Sequence, residues 1–395
     1  MLKVYLEARV PGWKLHSLYD SLLRFPPEGV EFRASISDGG QNDGSFARSF
    51  DGHLSGLSGI NELLDLVKPG LYYAYYRAKR RPKRERPGDL VYSSQHLIFD
   101  SIPWIVDLEF ASALVGYGRL RPYRGFVERM LSSKHCRKII PWTDAGARSL
   151  KLGLNSARLE EKIETVHLAV APKQFLKKEA DEKVRLLFVG TGNEFNLLRS
   201  FELKGGREVL LAFGKLQEEY SNLELTVRSH IPRIYGDFCA KRGIRNIASI
   251  LSPSQLAIEF QRADIFLFPS HQTPGSVILD AMSYGLPVVT TNVWANGEMV
   301  RDGETGLLTR ASRHATYFGK DWIPLWGEPA FMKSIARVDH EMVSDVVEKT
   351  SFLIEDQAYR RRLGENAHRE TETGEFSVLK RNIKLRRIFE ESMNN

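Results

Sequence analysis

The 395-residue sequence predicts an α/β protein made of two Rossmann-like, doubly wound parallel-sheet domains. Three observations carry that expectation. The chain is too long for one ordinary core and suits two domains of roughly 150–200 residues each. Apolar, β-branched runs alternate with helix-length segments through both halves, the pattern of a parallel sheet wound with helices on both faces. Between the halves lies KKEADEKV, from Lys177 to Val184, a charged stretch with no apolar face.

Strands are expected in the first half at LKVYLEA from Leu2, DLVYS from Asp89, PWIVDLE from Pro103 and RKIIPW from Arg137. The second half offers VRLLFVG from Val184, LELTV from Leu223, ADIFLFPS from Ala263 and LPVVTT from Leu286. The boundary falls near residues 171–181, giving an N-terminal domain at 1–172 and a C-terminal domain at 173–375. Segment 376–395 reads as a closing helix, because Leu379, Ile383 and the Ile388/Phe389 pair recur at near-helical spacing. Two such domains imply a cleft.

Composition narrows the class. With 42% hydrophobic and 27% charged residues the chain is an ordinary globular one, not a disordered or fibrous one. Two cysteines, Cys136 and Cys239, are too few for a disulfide framework and lack zinc-ligand spacing, so both read as core thiols in a reducing compartment. No apolar run approaches the roughly 20 residues that span a bilayer, and the N-terminus reads as strand and loop, so a cytoplasmic location is expected. The net charge of +7 is concentrated in RAKRRPKRER, Arg77 to Arg86, where seven bases and one acid leave about +1 for everything else. A nucleic-acid-binding domain would spread its charge over a face, and no helix-turn-helix, finger or RNP-type motif is present, so no nucleic-acid partner is expected. The longer stretch at 71–88 sets four tyrosines beside those bases, a composition suited to an anionic membrane surface, with a solvated loop as the alternative.

The sharpest signal is RADIFLFPSHQTPGSVILDAMSYGLPVVTTNVWANGEMVRDGETGLL, Arg262 to Leu308. A buried strand ends at Pro269 and Ser270, a helix begins near Gly275 and stops at Gly285, and a second strand leads to a loop holding Asn296, Gly297 and Glu298. Ligands of open parallel sheets bind beyond the strands' carboxyl ends, where helix N-termini present free N–H groups that favour phosphate. Both loops should face one site.

This stretch resembles the retaining family-four glycosyltransferases (glycosyl transferases group 1) of the GT-B fold. Their second domain carries AD-x4-PS, Glu-x7-Glu, EAM-x2-G-x-PVV and E-x-V-x-DG-x-TG-x-L. The register puts Gln272 and Asp280 at the two acidic positions, a Gln-x7-Asp pair, with Pro274, Gly275 and Ser276 between them and Glu298 in the next loop. The resemblance implies that Asp280 holds the donor ribose and that Gln272 contacts the transferred sugar, as a hydrogen-bonding group without charge.

A second block, VRLLFVGTGNEFNLLRSFELKGGREVLLAF from Val184, is similar to the family's FVG-R-x-n-KG-x2-LL-x-AF, in which an Arg and a Lys grip the diphosphate. Lys204 and Gly205 match the KG pair. Gly190 is followed by Thr191 where the Arg usually stands, leaving Arg199 as a substitute, while Arg228, just after the LELTV strand, is expected to point toward the cleft rim. Lys204 is therefore the first candidate to stabilise the leaving diphosphate, with a solvent-exposed lysine at a helix start as the alternative.

In the first domain the register puts Asp107 at the family's Thr position and Glu109 at its catalytic-side His position. Either carboxylate, projecting from a strand end, would orient or deprotonate an acceptor hydroxyl; pairing with Arg119, Arg121 or Arg124 is the alternative. The family's Gly-Gly loop is replaced by Pro11, Gly12 and Trp13. The resemblance implies a nucleotide-diphosphate-sugar donor, an acceptor glycan or lipid-linked sugar, retention of anomeric configuration, no cofactor and no metal. A sugar-nucleotide epimerase or hydrolase of the same fold, or a catalytically silent membrane-associated scaffold, is the competing reading. An aromatic insertion at 310–332 reads as a lid or dimer contact.

Overall fold

The computed structural model describes residues 1–7, 17–34, 90–117, 120–154, 157–171, 173, 182–190, 201–273, 275–326 and 328–394. The chain divides into two compact units. Unit 1 comprises Met1–Leu168, Lys320–Ile323 and Leu379–Asn395, and unit 2 comprises Ala169–Gly319 and Pro324–Val378.

Unit 1 is built on a five-stranded sheet in the order β2-β1-β3-β4-β5, with every pairing parallel. Its strands are β1 (Leu2–Glu7), β2 (Val30–Ala34), β3 (Leu90–Ser94), β4 (Trp104–Leu108) and β5 (Cys136–Pro141). β4 is buried at every position, as a central parallel strand covered on both faces must be, which is why WIVDL reads as a continuous apolar run. Helices α1 (Ser17–Arg24), α2 (Arg124–Ser132) and α3 (Asp144–Leu154) follow β1, β4 and β5. β2 had no expectation attached, because VEFRA offers only two strongly apolar residues.

Unit 2 carries a six-stranded parallel sheet in the order β11-β10-β9-β6-β7-β8. The strands are β6 (Val184–Val189), β7 (Leu223–Arg228), β8 (Arg245–Asn246), β9 (Ile265–Phe268), β10 (Val288–Thr291) and β11 (Gly306–Thr309). Helices α4 (Gly206–Glu219), α5 (Gly236–Lys241), α6 (Pro253–Arg262), α7 (Ser276–Ser283) and α8 (Asn296–Met299) link them. After β11 come α9 (Pro329–Ile335), α10 (His340–Glu355) and α11 (Gln357–Glu372). The order in which strands are added reverses between β6 and β9, with β7 and β8 laid down on one side and β9 to β11 on the other, the switch point at which open sheets of this kind leave a crevice.

The last helix, α12 (Val378–Asn394), belongs almost wholly to unit 1. Its buried face is Arg381, Leu385, Ile388, Phe389 and Ser392, whereas Leu379 and Ile383, expected to share the apolar stripe, are exposed. The stripe turns instead through Arg381, whose guanidinium donates to Ser21 Oγ (3.0 Å) and the Phe25 carbonyl (2.7 Å), fixing which face turns inward. Phe389 then meets Phe32 and Tyr92 edge-on.

Candidate functional site

In unit 2, Gly190, Arg228 and Gln272 follow or end β6, β7 and β9, and Lys204 and Gly205 lie against the end of β9. Gly190 follows β6 directly, and a side chain there would overlap Ser229 Oγ at 2.3 Å, so only glycine allows β6 and β7 to end side by side. Gly205 caps the N-terminus of α4 with φ +80°. A Cβ there would sit 2.1 Å from the Pro269 carbonyl oxygen, so this glycine lets the helix start press against the end of β9. The contact is reinforced where His271 N–H donates to the Leu203 carbonyl (2.8 Å). Lys204, immediately before that helix start, is half-buried, and its ammonium lies 5.2 Å from the centroid of Phe268, the last residue of β9.

Arg228 ends β7 and is 7% exposed, more enclosed than a rim residue. One N–H reaches the Gly190 carbonyl (3.3 Å), while its Nε is buried without a hydrogen-bond partner. Burial holds its pKa below the usual arginine range, the condition that a nearby anion relieves. Guanidinium, lysine and the unpaired N–H groups of a 14-residue helix thus converge on one end of the sheet.

The loop after β9 is held by its own short bonds. Ser270 is fully buried; its hydroxyl bridges to Gln272 N (3.1 Å) and the Gln272 carbonyl (3.2 Å). Thr290 donates to the Phe268 carbonyl (2.7 Å) and Thr291 to that of Ser270, tying β10 to this turn. Gln272 is half-buried, and its carboxamide makes no hydrogen bond among the described residues. Gly275 caps α7, Ser276 opens it, and Asp280 lies one turn further on. Burial raises the Asp280 carboxyl to about 6, against the pull of Lys173. Glu298 is half-buried on α8. The DG-x-TG block is structural: Asp302 accepts from Leu308 N–H (2.8 Å) and Thr305 from Arg301 N–H (2.9 Å), bracing the turn into β11. Thr191, Arg199 and Pro274 lie outside the described residues, as do 71–88, Arg119 and the Pro11-Gly12-Trp13 stretch.

Sequence reading missed a buried network beside this loop. His271, 1% exposed, bonds through Nδ1 to the Tyr317 hydroxyl (3.0 Å), and its Nε2 faces Glu208 at 3.5 Å. Arg207 donates to the same Glu208 carboxylate and to the Ala336 and Ile335 carbonyls. Burial alone would raise Glu208, but His271 and Arg207 outweigh it and hold the carboxyl below its usual range. Tyr317 and Phe331 are buried in unit 2, and Trp294 packs on the half-buried Phe318 and Trp326, so part of the aromatic insertion is built into the core of unit 2. Trp322, placed with unit 1, lies under the Arg148 guanidinium at 4.0 Å.

In unit 1 the two carboxylates separate. Asp107 does not project from the strand end: it is fully buried and accepts from Tyr19 (2.8 Å) and Tyr92 (3.1 Å). Burial raises its carboxyl to about 7, with those hydroxyls pulling the other way. Its two hydroxyl partners come from different elements, Tyr19 from α1 and Tyr92 from the neighbouring strand β3. Glu109, past the strand end, is half-buried and accepts from Tyr117 (3.3 Å), while Arg124 pairs with Glu128. Both cysteines are buried and free.

Two parallel-sheet α/β units give the chain the GT-B fold. Solved structures share the fold. A glycosyltransferase from Rickettsia africae aligns over 100% of this chain and 99% of its own with a TM-score of 0.58 at 12% identity. WaaG, a glycosyltransferase involved in lipopolysaccharide biosynthesis, aligns over 98% and 99% with a TM-score of 0.56 at 17% identity. Residues 202–320 match the family described as Glycosyl transferases group 1. A curated relative, D-inositol 3-phosphate glycosyltransferase of Rhodococcus opacus, is 34% identical over 90 residues, 22% of this chain. The chain spans about a fifth of that relative's length, 19%. Among the described residues no helix is long and apolar enough to cross a membrane.

Proposed function

We propose that this protein is a glycosyltransferase that moves a sugar from a nucleoside-diphosphate sugar to the hydroxyl of a glycan or lipid-linked acceptor, with retention and without a metal. The observation that carries the reading is the convergence of Lys204, Arg228 and the α4 N-terminus at the ends of β6, β7 and β9. Breaking the bond between the sugar and the diphosphate builds negative charge on the leaving oxygen. Fixed cations and helix N–H groups stabilise that charge with little reorganisation.

Asp280 takes the ribose hydroxyls in this reading, and Gln272 with Glu298 the sugar. Front-face substitution fits best: the leaving phosphate oxygen takes the acceptor's proton as the new glycosidic bond forms. Retention by double displacement would need a carboxylate against the anomeric carbon, and the motifs assign none. Glu109 is the acceptor-side carboxylate, and buried Asp107 has a supporting place.

A thermal-shift panel of UDP-, GDP-, ADP- and CDP-sugars tests the donor end. At least one nucleotide should raise the melting temperature, and Lys204→Ala should weaken its binding by about 10–100-fold, the loss of one charge-assisted contact. No shift with any nucleotide, or unchanged binding by Lys204→Ala, would overturn the assignment. Donor consumption in the absence of acceptor would favour an epimerase or hydrolase.

A further inference from the structure

At the opposite end of the unit 1 sheet from Asp107 and Glu109, where β5 begins, a cavity of about 210 Å³ is lined by Lys134, Cys136, Arg137, Lys138, Lys162, Glu391 and Ser392. Basic groups outnumber acids four to one, and the acid is already engaged: Glu391 accepts from Arg387 (3.0 Å). Lys138 is likewise paired, with Glu164 at 3.3 Å.

The remaining bases lack such balance. Lys162 spends its N–H groups on the carbonyls of Leu131 (3.1 Å), Ser133 (2.8 Å) and Cys136 (2.8 Å), so its charge is held in place with no carboxylate beside it among the described residues. Burial, with Arg137 adding to it, depresses its pKa. The Cys136 thiol supplies no counter-charge, because burial pushes it up to about 12. Arg137 has no ion-pair partner among the described residues, and its Nε is buried and unbonded. Ser392, 2% exposed, turns an equally unbonded hydroxyl toward the same place from the last turn of α12. Unpaired buried donors beside uncompensated positive charge are costly, and an anion of matching size relieves both costs at once. The cavity has room for several waters, at roughly 30 Å³ each, or for one phosphoryl group and its substituent.

We propose that this cavity is a binding site for a phosphoryl-bearing anion, held by Arg137, Lys134 and the Ser392 hydroxyl with Lys162 as fixed charge. It uses none of the residues assigned to sugar transfer.

Calorimetric titration of the intact chain tests it, with inorganic phosphate as one probe and a soluble short-chain phosphatidic acid as the other. Arg137→Gln should weaken binding of at least one probe by about tenfold, while Lys204→Ala leaves it unchanged. Ser392→Ala, a smaller change, should weaken it in the same direction and covers the case in which Arg137→Gln perturbs folding. Preference for phosphate assigns a free metabolite, and preference for the lipid probe a headgroup. Equal affinity in the wild type and both cavity variants, or loss of binding in Lys204→Ala, overturns the site.

Discussion

Asp280 and Asp107 show how one residue type takes different parts according to its surroundings. Asp280 carries a carboxyl raised to about 6, so it is ionised only above that pH. If it holds donor hydroxyls as a carboxylate, donor affinity should fall as the pH drops below about 6. Asp280→Asn should bind more weakly at pH 8 and lose that dependence, measured by calorimetry from pH 5 to 8. Asp107, with its carboxyl at about 7, affects folding instead. A raised carboxylate pKa gives stability that is complete below the unfolded value near 3.9 and is lost as the pH climbs through about 7. Asp107→Asn keeps an acceptor for Tyr19 and Tyr92 and cannot ionise. Its stability should therefore fall less than wild type between pH 4 and 8, by up to a few kcal/mol in urea titrations. The motif register located Asp107 but not its burial. Its covering residues, Tyr19 and Tyr92, lie 88 and 15 positions away in sequence, and no local spacing announces them.

Strands covered on both faces were the legible elements. All eight expected strands are present to within two residues, because buried parallel strands read as unbroken apolar runs. β2, β8 and β11 were not legible: β8 is two exposed residues at a sheet edge, and β11 begins at the last glycine of the DG-x-TG block and runs only four residues. The helix α12 was legible as a helix but not in its facing. Leu379 and Ile383 fit the apolar spacing, yet a buried arginine with two hydrogen-bonded partners decided the inward side. Phe389→Ala should destabilise by roughly 3–5 kcal/mol and Leu379→Ala by no more than about 0.5, compared by chemical denaturation. Similar costs for the two would reject this orientation. The His271–Glu208–Tyr317 network was invisible for a related reason, since it joins three elements distant in sequence.

Across the whole molecule the charge is as unevenly spread as the sequence implies, with most of the +7 in one decapeptide beside four tyrosines. A protein acting on a lipid-linked acceptor gains from such a patch, since each base near an anionic surface contributes about 1 kcal/mol. Replacing Arg80, Arg81, Lys83 and Arg84 by Ala should lower co-sedimentation with anionic liposomes, most clearly at low salt; equal recovery would dispose of membrane docking. The division of the chain into units has another consequence, for synthesis. Residues up to Leu168 leave the ribosome early, yet the helix whose Leu385, Ile388 and Phe389 complete their core is translated only after all of unit 2. At translation speeds of about 5–20 residues per second, the nascent first unit waits on the order of 10–40 s for its last hydrophobic piece. Through that interval the apolar surface that Leu385, Ile388 and Phe389 cover stays open, the kind of transient exposure that makes a nascent domain prone to aggregate.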